Sequence, residues 1–202
     1  MQQLVLNLGP AMEPDFDNFI AGPNAEALAA VRSFAAGGAR EAILYLWGEP
    51  GSGRTHLLRA AEKMNRALVT ADDVEQLDAP AQQRLFAAIN AAREGAEPVL
   101  ATGSLPPAQL ALREDLRTRL AWGLVYQLKP LTDAEKTLHL RAQAARRGLR
   151  LPDEVLAYLL SRLPRDLASL NAVLEALDRY SLATQRPVTL PLVREALERK
   201  IR

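Results

Sequence analysis

Apolar runs of strand length alternate with helical patterns through the first 130 residues of the chain. The runs predict four strands, at 42–47, 66–73, 98–104 and 124–128. The stretches between them carry the spacing of amphipathic helices. Strands that alternate with helices indicate a parallel sheet covered on both faces. The predicted fold class is therefore α/β.

The polar and turn-forming residues before the first strand predict one more helix. Asn24 has the residue type of an N-cap, and Gly37 and Gly38 are expected to end the helix that follows it. Prolines at positions 10, 14 and 23 predict that residues 1–23 are extended and precede the folded body.

From Thr132 the pattern changes, because no further strand run appears and four helical patterns follow in close order. Thr132 and Glu135 have the spacing of a capping box at the start of the first of them. We therefore predict three parts: an extended segment (1–15), an α/β core (16–130) and a small all-α domain (131–202).

Composition narrows the classes of partner. With 25 basic and 24 acidic residues the net charge is +1, so no chain-wide positive field favours non-specific nucleic-acid binding. The absence of cysteine excludes disulfides and thiolate metal sites, and only His56 and His139 carry imidazole. Neither a secretory signal nor an apolar stretch of membrane-spanning length is present, which predicts a cytoplasmic protein without a membrane partner.

The segment "GEPGSGRT" has the form of a phosphate-binding loop between a strand and a helix. Backbone N–H groups of such a loop point at an anion, and the helix N-terminus adds partial positive charge. The candidate nucleotide-binding residues are Gly48, Pro50, Gly51, Ser52, Gly53, Arg54, Thr55 and His56. The alternative is an ordinary glycine-rich turn, since arginine stands at position 54 where lysine is expected.

Two acids follow the second predicted strand, where a pair of carboxylates orders Mg²⁺ and the attacking water in nucleotide hydrolases. Thr55 and Asp72 are the candidate Mg²⁺ ligands, with Asp73 beside them. Two acids after a strand are also typical of a solvated turn. Arg54 can bind phosphate, but its wide planar group differs from an ammonium, so we expect nucleotide binding to survive better than turnover.

Several motifs together resemble AAA+ ATPases, and within them the Hda branch of the DnaA family. They are "FDNFIAGPNAEALAAV", "GSGRTHLL", "DDVEQL", "ATGSLPPAQL", "DLRTRLAWGLVYQLKPL" and "LPRDLASLNAVLEALDRYSLATQRPVTLPLVREAL", which run along residues 16–197. Members of that branch promote inactivation of the replication initiator DnaA. They also tend to carry arginine in place of the loop lysine.

The resemblance implies a role for each matched position. The loop would be Walker A, Asp72 and Asp73 Walker B, and Thr102–Ser104 the sensor 1 region. Arg119 would be an arginine finger that reaches a neighbour's γ-phosphate, with Arg117 as its competitor. Arg165 would be the sensor 2 arginine of a helical lid, and Phe16–Asn24 would line the base pocket. The implied cofactor is ADP or ATP, with Mg²⁺ as an accompanying ion.

The N-terminal "QLVLNL" resembles the short peptide with which Hda and polymerase-associated proteins grip the sliding clamp, the β subunit of DNA polymerase. Gln3 would hydrogen-bond at the rim, and Leu4, Leu6 and Leu8 would enter apolar pockets. Alternating leucines are also typical of an ordinary edge strand.

Two departures from the family pattern are visible. Only residues 56–71 separate Thr55 from the Walker B acids, so one edge strand-helix unit of the core is predicted to be missing. The sequence also ends at Arg202 without the helix-turn-helix domain of DnaA, so sequence-specific DNA binding is not expected.

The predicted function is regulation of replication initiation: an ADP-bound protein, tethered to the DNA-loaded clamp, stimulates ATP hydrolysis by DnaA through Arg119. The alternatives are a self-sufficient ATPase such as a helicase loader, and a nucleotide-free clamp-binding adaptor. The sequence leaves the oligomeric state open, a homodimer included.

Overall fold

The computed structural model describes residues 13–162 and 167–198. The chain divides into two compact units, with the boundary between Leu131 and Thr132. The first unit begins at Pro14 and contains the sheet. The described part of the second consists of helices and the turns that join them.

The first unit is an α/β core, as predicted. Its helices are α1 (Ala25–Ala35), α2 (Arg54–Met64), α3 (Ala79–Arg93) and α4 (Glu114–Leu120). Its strands are β1 (Ile43–Gly48), β2 (Val69–Ala71), β3 (Val99–Gly103) and β4 (Leu124–Leu128). All the strand pairs are parallel, in the order β2-β3-β1-β4. The predicted fold class is confirmed.

The strand β1 lies inside the sheet and is covered on both faces. Leu44 and Leu46 belong to a cluster with α1 and α2. Ile43 and Tyr45 belong to a second cluster with α3 and α4. Burial on both faces explains why the sequence of β1 is a continuous apolar run rather than an alternating one.

The strand β2 forms one edge of the sheet and is shorter than the predicted 66–73. Before it, the Asn65 side chain accepts from the backbone N–H of Ala67 in a turn. After it, Asp73 adopts a left-handed conformation with φ of 44°, which ends the strand. Residues 65–68 alone connect α2 to β2, so the helix returns directly to the sheet, as predicted for the shortened core.

The prediction of an extended segment up to residue 23 is wrong for the described residues that precede α1. Phe16–Asn18 and Gly22–Asn24 form 3-10 turns, and Asp15 caps the first of them. The ring of Phe16 is buried in the core. Local proline content suggested an extended chain, but burial of an aromatic ring stabilises a compact path.

Asn24 occupies the N-cap position of α1 but does not cap the helix. Its side-chain amide donates to the carbonyl of Lys129 at 2.9 Å, and its side-chain oxygen accepts from the Lys129 N–H at 2.8 Å. Asn24 therefore ties the start of α1 to the chain just after β4.

Asn24→Ala should lower the free energy of unfolding by roughly 1–3 kcal/mol, since two backbone groups of Lys129 lose their partner. Asn24→Asp keeps the acceptor but sets a carboxylate oxygen against the Lys129 carbonyl at a buried position, so its loss should be at least as large. Urea unfolding measures both variants. Equal stability of the alanine variant and the parent would contradict the role assigned to this amide.

The second unit contains α5 (Asp133–Arg146), α6 (Asp153–Arg162), α7 (Leu167–Thr184) and α8 (Leu190–Glu198). The predicted capping box is present, since the Thr132 hydroxyl accepts from the Glu135 N–H and the Glu135 carboxylate accepts from the Thr132 N–H. Two apolar clusters hold the helices together. Over residues 13–162 and 167–198, none of the helices is both long and apolar enough to cross a membrane.

Candidate nucleotide-binding site

The loop between β1 and α2 contains two positions that only glycine can occupy. A Cβ on Gly48 would lie 2.2 Å from the carbonyl oxygen of Leu128. Gly53 has φ of 97°, and a Cβ there would lie 2.6 Å from the ring of Phe19. The helix α2 begins at Arg54, and no described side chain caps its N-terminus. Its free N–H groups suit an anion.

Buried polar atoms without partners occur in this loop and among the acidic residues that follow β2. Ser52 is 4% exposed, and its hydroxyl oxygen has no hydrogen-bond partner among the described residues. The same holds for Nη1 of Arg54 and Oε2 of Glu75. Unsatisfied polar atoms are costly in a folded core, so a cluster of them fits a polar ligand at the loop.

The two acids that follow β2, Asp72 and Asp73, lie beside the end of β3. The hydroxyl of Thr102 donates to the Asp72 carboxylate at 2.5 Å, and the Asp73 N–H donates to the same hydroxyl oxygen at 3.1 Å. Thr102 is fully buried. The structure therefore brings the predicted Walker B and sensor 1 residues together at the carboxyl ends of adjacent parallel strands, where ligands bind in α/β sheets.

Arg54 reaches across the loop to one of these acids. Its Nη2 lies 3.0 Å from Oδ1 of Asp73, in the geometry of an ion pair rather than an aligned hydrogen bond. Burial raises the pKa of Asp73, Arg54 opposes that effect, and the neighbouring Asp72 and Glu75 reinforce it. The arginine in the lysine position is thus already partnered within the protein.

The segment before α1 lies against the first turn of α2. The His56 ring packs at a tilt on Phe19, with 5.4 Å between centroids, and His56 Nε2 lies 2.9 Å from the carbonyl oxygen of Asp15. Lys63 forms an ion pair with the Asp15 carboxylate. Part of the predicted base-pocket segment is therefore adjacent to the loop.

Arg119 belongs to a cluster on α3 and α4 that we call the arginine–aromatic cluster: Phe86, Asn90, Arg93, Arg119 and Trp122. The Arg119 guanidinium carbon lies 4.1 Å from the Phe86 ring centroid and 4.9 Å from that of Trp122. Its Nε donates to the Asn90 side-chain oxygen at 2.6 Å. Arg93 stacks on Trp122 at 4.1 Å, and Trp122 is 43% exposed.

The neighbouring arginines have different surroundings. Arg117 makes a long hydrogen bond of 3.5 Å to the carbonyl of Ala108. Arg113 pairs with Asp115 at 2.6 Å and donates to Gln83 at 2.7 Å. Among the three arginines of this stretch, Arg119 is the one that contacts two aromatic rings within 5 Å.

Three residues that the sequence reasoning missed stand out in the site. Glu75 accepts from the N–H of Ser104 at 2.8 Å and so fixes the sensor 1 segment. Asn90 and Phe86 hold Arg119. The position of Glu75 directly after "DDV" was a usable signal, whereas Asn90 and Phe86 lie in an unremarkable helix.

Other predicted residues are either solvent-facing or outside the described part of the chain. Pro50, Gly51 and Thr55 are exposed. Arg165 and the clamp residues Gln3, Leu4, Leu6 and Leu8 lie outside the described residues. In the ranges 13–162 and 167–198, no group of three or more His, Cys, Asp or Glu side chains could hold a metal ion.

Comparison with known proteins agrees with this architecture. The family model "Hda, lid domain" matches residues 133–197, and "Bacterial DnaA ATPase domain" matches residues 12–71. Domain III of Thermotoga maritima DnaA is similar at 22% identity and TM-score 0.73, over 92% of this chain and 96% of that one.

Two further solved structures share the fold. AMPPCP-bound DnaA from Aquifex aeolicus has 19% identity and TM-score 0.67, over 96% of this chain and 70% of that chain. The Thermotoga maritima RuvB Holliday junction branch migration motor has 16% identity and TM-score 0.62, over 92% and 71%.

The parallel sheet, the loop between β1 and α2 and the helical unit together have the AAA+ fold. The two family matches narrow the class further. Residues 133–197 match an Hda-type lid and residues 12–71 a bacterial DnaA-type ATPase domain, so in these two parts the chain is similar to Hda-type, DnaA-related AAA+ proteins.

Proposed function

We propose that this protein inactivates the replication initiator. Holding ADP and tethered to the DNA-loaded sliding clamp, it docks on ATP-bound DnaA and stimulates hydrolysis there through Arg119. The family matches support the coarser part of this proposal, a DnaA-related regulator of replication initiation. Action on the DNA-loaded clamp would place the protein in the cytoplasm.

Nucleotide binding is supported by the fit of the loop to an anion. The uncapped α2 N-terminus, the buried Ser52 hydroxyl and the unpartnered Nη1 of Arg54 all lie at this loop. The Aquifex aeolicus relative with the same fold holds AMPPCP. The proposed ligands are the eight candidate residues from Gly48 to His56, with Arg165 from the lid. Thr55 and Asp72 would be the ligands of any Mg²⁺ that accompanies the nucleotide.

The proposed action of Arg119 in trans rests on the residues that surround its side chain. The hydrogen bonds and cation–π contacts that the described part of the chain gives the Arg119 side chain are with α3, α4 or Trp122, and none is with the loop from Gly48 to Thr55. The guanidinium is held by Asn90 and stacked on Phe86, while Nη2 has no hydrogen-bond partner among the described residues. A fixed cation with a free end suits charge developing on another molecule's phosphate.

The deciding experiment measures ATP hydrolysis by DnaA with and without this protein and the DNA-loaded clamp. Stimulation is expected only when protein and clamp are both present. A trans arginine finger increases hydrolysis by about 10³–10⁵ in the GTPase systems where it has been measured.

Two alternatives predict different outcomes of simple assays. Rapid ATP turnover by the isolated protein, abolished by Asp73→Asn, would favour a self-sufficient ATPase such as a helicase loader. Failure to bind ADP together with intact clamp binding would favour a nucleotide-free adaptor. The ion pair between Arg54 and Asp73 argues against turnover, because the acid that would order the attacking water is engaged.

Asn90→Ala should reduce the stimulation of DnaA hydrolysis by about tenfold at saturating protein, since a hydrogen bond to a charged group is worth about 1.5–3 kcal/mol. The concentration for half-maximal stimulation should change little. Asn90→Asp retains an acceptor for Arg119 and should restore much of the rate. Gln83→Ala is the matched control, because it removes the similar bond to Arg113. Equal losses in the Gln83 and Asn90 variants would contradict a specific role for Asn90.

A further inference from the structure

Both Walker B acids of this protein already have partners inside the site. Asp72 accepts from the Thr102 hydroxyl, and Asp73 pairs with Arg54. We propose that the loop binds a nucleoside diphosphate without Mg²⁺, with Arg54 linking Asp73 to the phosphates in place of the metal. This inference rests on the nucleotide binding proposed above and specifies how that site works.

The two ends of the Arg54 guanidinium face different surroundings. The side chain is 11% exposed, and its Nη2 lies 3.0 Å from Oδ1 of Asp73. Nη1 is buried and has no hydrogen-bond partner in the described part of the chain. A planar fork can bind two oxygen-bearing groups at once, which a single ammonium cannot do in the same plane. One end of the fork is therefore occupied by the acid, and the other is available to a phosphate oxygen.

The backbone fixes Asp73 in this arrangement. Its N–H donates to the Thr102 hydroxyl oxygen at 3.1 Å, and its φ of 44° is a left-handed conformation that aspartate adopts less readily than glycine. Thr102 in turn donates to Asp72. The ion pair with Arg54 is thus part of a network that spans the loop and the ends of β2 and β3.

Mg²⁺ competes poorly for this position on electrostatic grounds. It requires a near-ideal octahedral set of oxygen ligands and usually keeps several waters. Here Asp72, the candidate Mg²⁺ ligand, already accepts from the Thr102 hydroxyl, and the adjacent Asp73 is paired with a guanidinium. A second cation close to that guanidinium is repelled, most strongly where water is scarce. The charge that Mg²⁺ would bring to the phosphates is already supplied by Arg54 and the α2 N-terminus.

The test is calorimetric titration of the full-length protein with ADP, in buffer containing MgCl₂ and in buffer containing EDTA. We expect the two dissociation constants to agree within about threefold. ADP binding that is present with Mg²⁺ and lost in EDTA would overturn this inference alone. No ADP binding in either buffer would overturn both the inference and the nucleotide binding proposed above.

Two variants test the assigned role of Arg54. Arg54→Lys should make ADP binding depend on Mg²⁺, with affinity about tenfold weaker in EDTA, since one ammonium cannot bridge the acid and the phosphate. Asp73→Asn removes a negative charge near the phosphates, so ADP binding in EDTA should not weaken. Thermal melting confirms that each variant is folded. Equal ADP binding by Arg54→Lys in both buffers would contradict the proposal that Arg54 links Asp73 to the phosphates.

Discussion

Arg119→Ala should remove most of the stimulation of DnaA ATP hydrolysis while leaving folding, ADP binding and clamp binding intact. A finger that acts in trans contributes only in the partner's transition state, so the loss should appear in the rate at saturating protein. Arg119 is only partly buried, so the variant should remain folded, although the lost bond to Asn90 should lower its stability by roughly 1–3 kcal/mol. The measurement is DnaA hydrolysis with the DNA-loaded clamp present.

Two further variants test whether the stimulation requires a guanidinium at position 119 or only a positive charge in this region. Arg117→Ala is the neighbouring control and should lose much less of the stimulation, because Arg117 makes only a long hydrogen bond to a carbonyl in the described structure. Arg119→Lys should rescue poorly, since an ammonium lacks the planar fork that spans two oxygens. Full activity of Arg119→Ala with loss in Arg117→Ala would assign the finger to residue 117. Full activity of both would overturn the trans mechanism.

The strands and the helical unit were predictable because their signals are local. β1 is buried on both faces, which leaves an unbroken apolar run in the sequence. The capping box at Thr132 and Glu135 needs only residues three positions apart, and it forms as predicted. Such patterns are complete within one segment, so the sequence alone identifies them.

The start of the chain shows where local signals fail. Asn24 has the residue type and position of an N-cap, yet its amide binds the backbone of Lys129, 105 positions away. Phe16 is buried although its neighbours resemble an extended segment. In both cases a tertiary contact, which no short window of sequence contains, determines the conformation.

Some features of the candidate site could likewise be predicted from the sequence, and others could not. The glycine loop and the two acids are recognisable because each lies at a strand end, where a parallel sheet gathers its ligand residues. The ion pair between Arg54 and Asp73 and the bond between Asn90 and Arg119 join separate elements. These contacts change the chemistry of the motif residues, and they become visible only in the folded arrangement.

Replacing Gln3, Leu4 and Leu6 by alanine should abolish clamp binding. In the motif "QLVLNL" the leucines alternate, so their side chains fall on one side of an extended peptide and can enter apolar pockets, while Gln3 hydrogen-bonds at the rim. The melting temperature should stay nearly unchanged if the segment acts as a peptide ligand for the clamp. Surface plasmon resonance on immobilised clamp measures the binding.

The matched control for this variant is Gln2→Ala, which removes a similar side chain just outside the motif. It should bind the clamp like the parent. In the hydrolysis assay the triple variant should lose the clamp-dependent part of the stimulation, because tethering raises the effective concentration of the protein near DnaA on the same DNA. Retained clamp affinity would refute the motif assignment. A collapse of the melting temperature would instead identify the segment as a strand that the fold requires, and the tether would have to lie elsewhere in the chain.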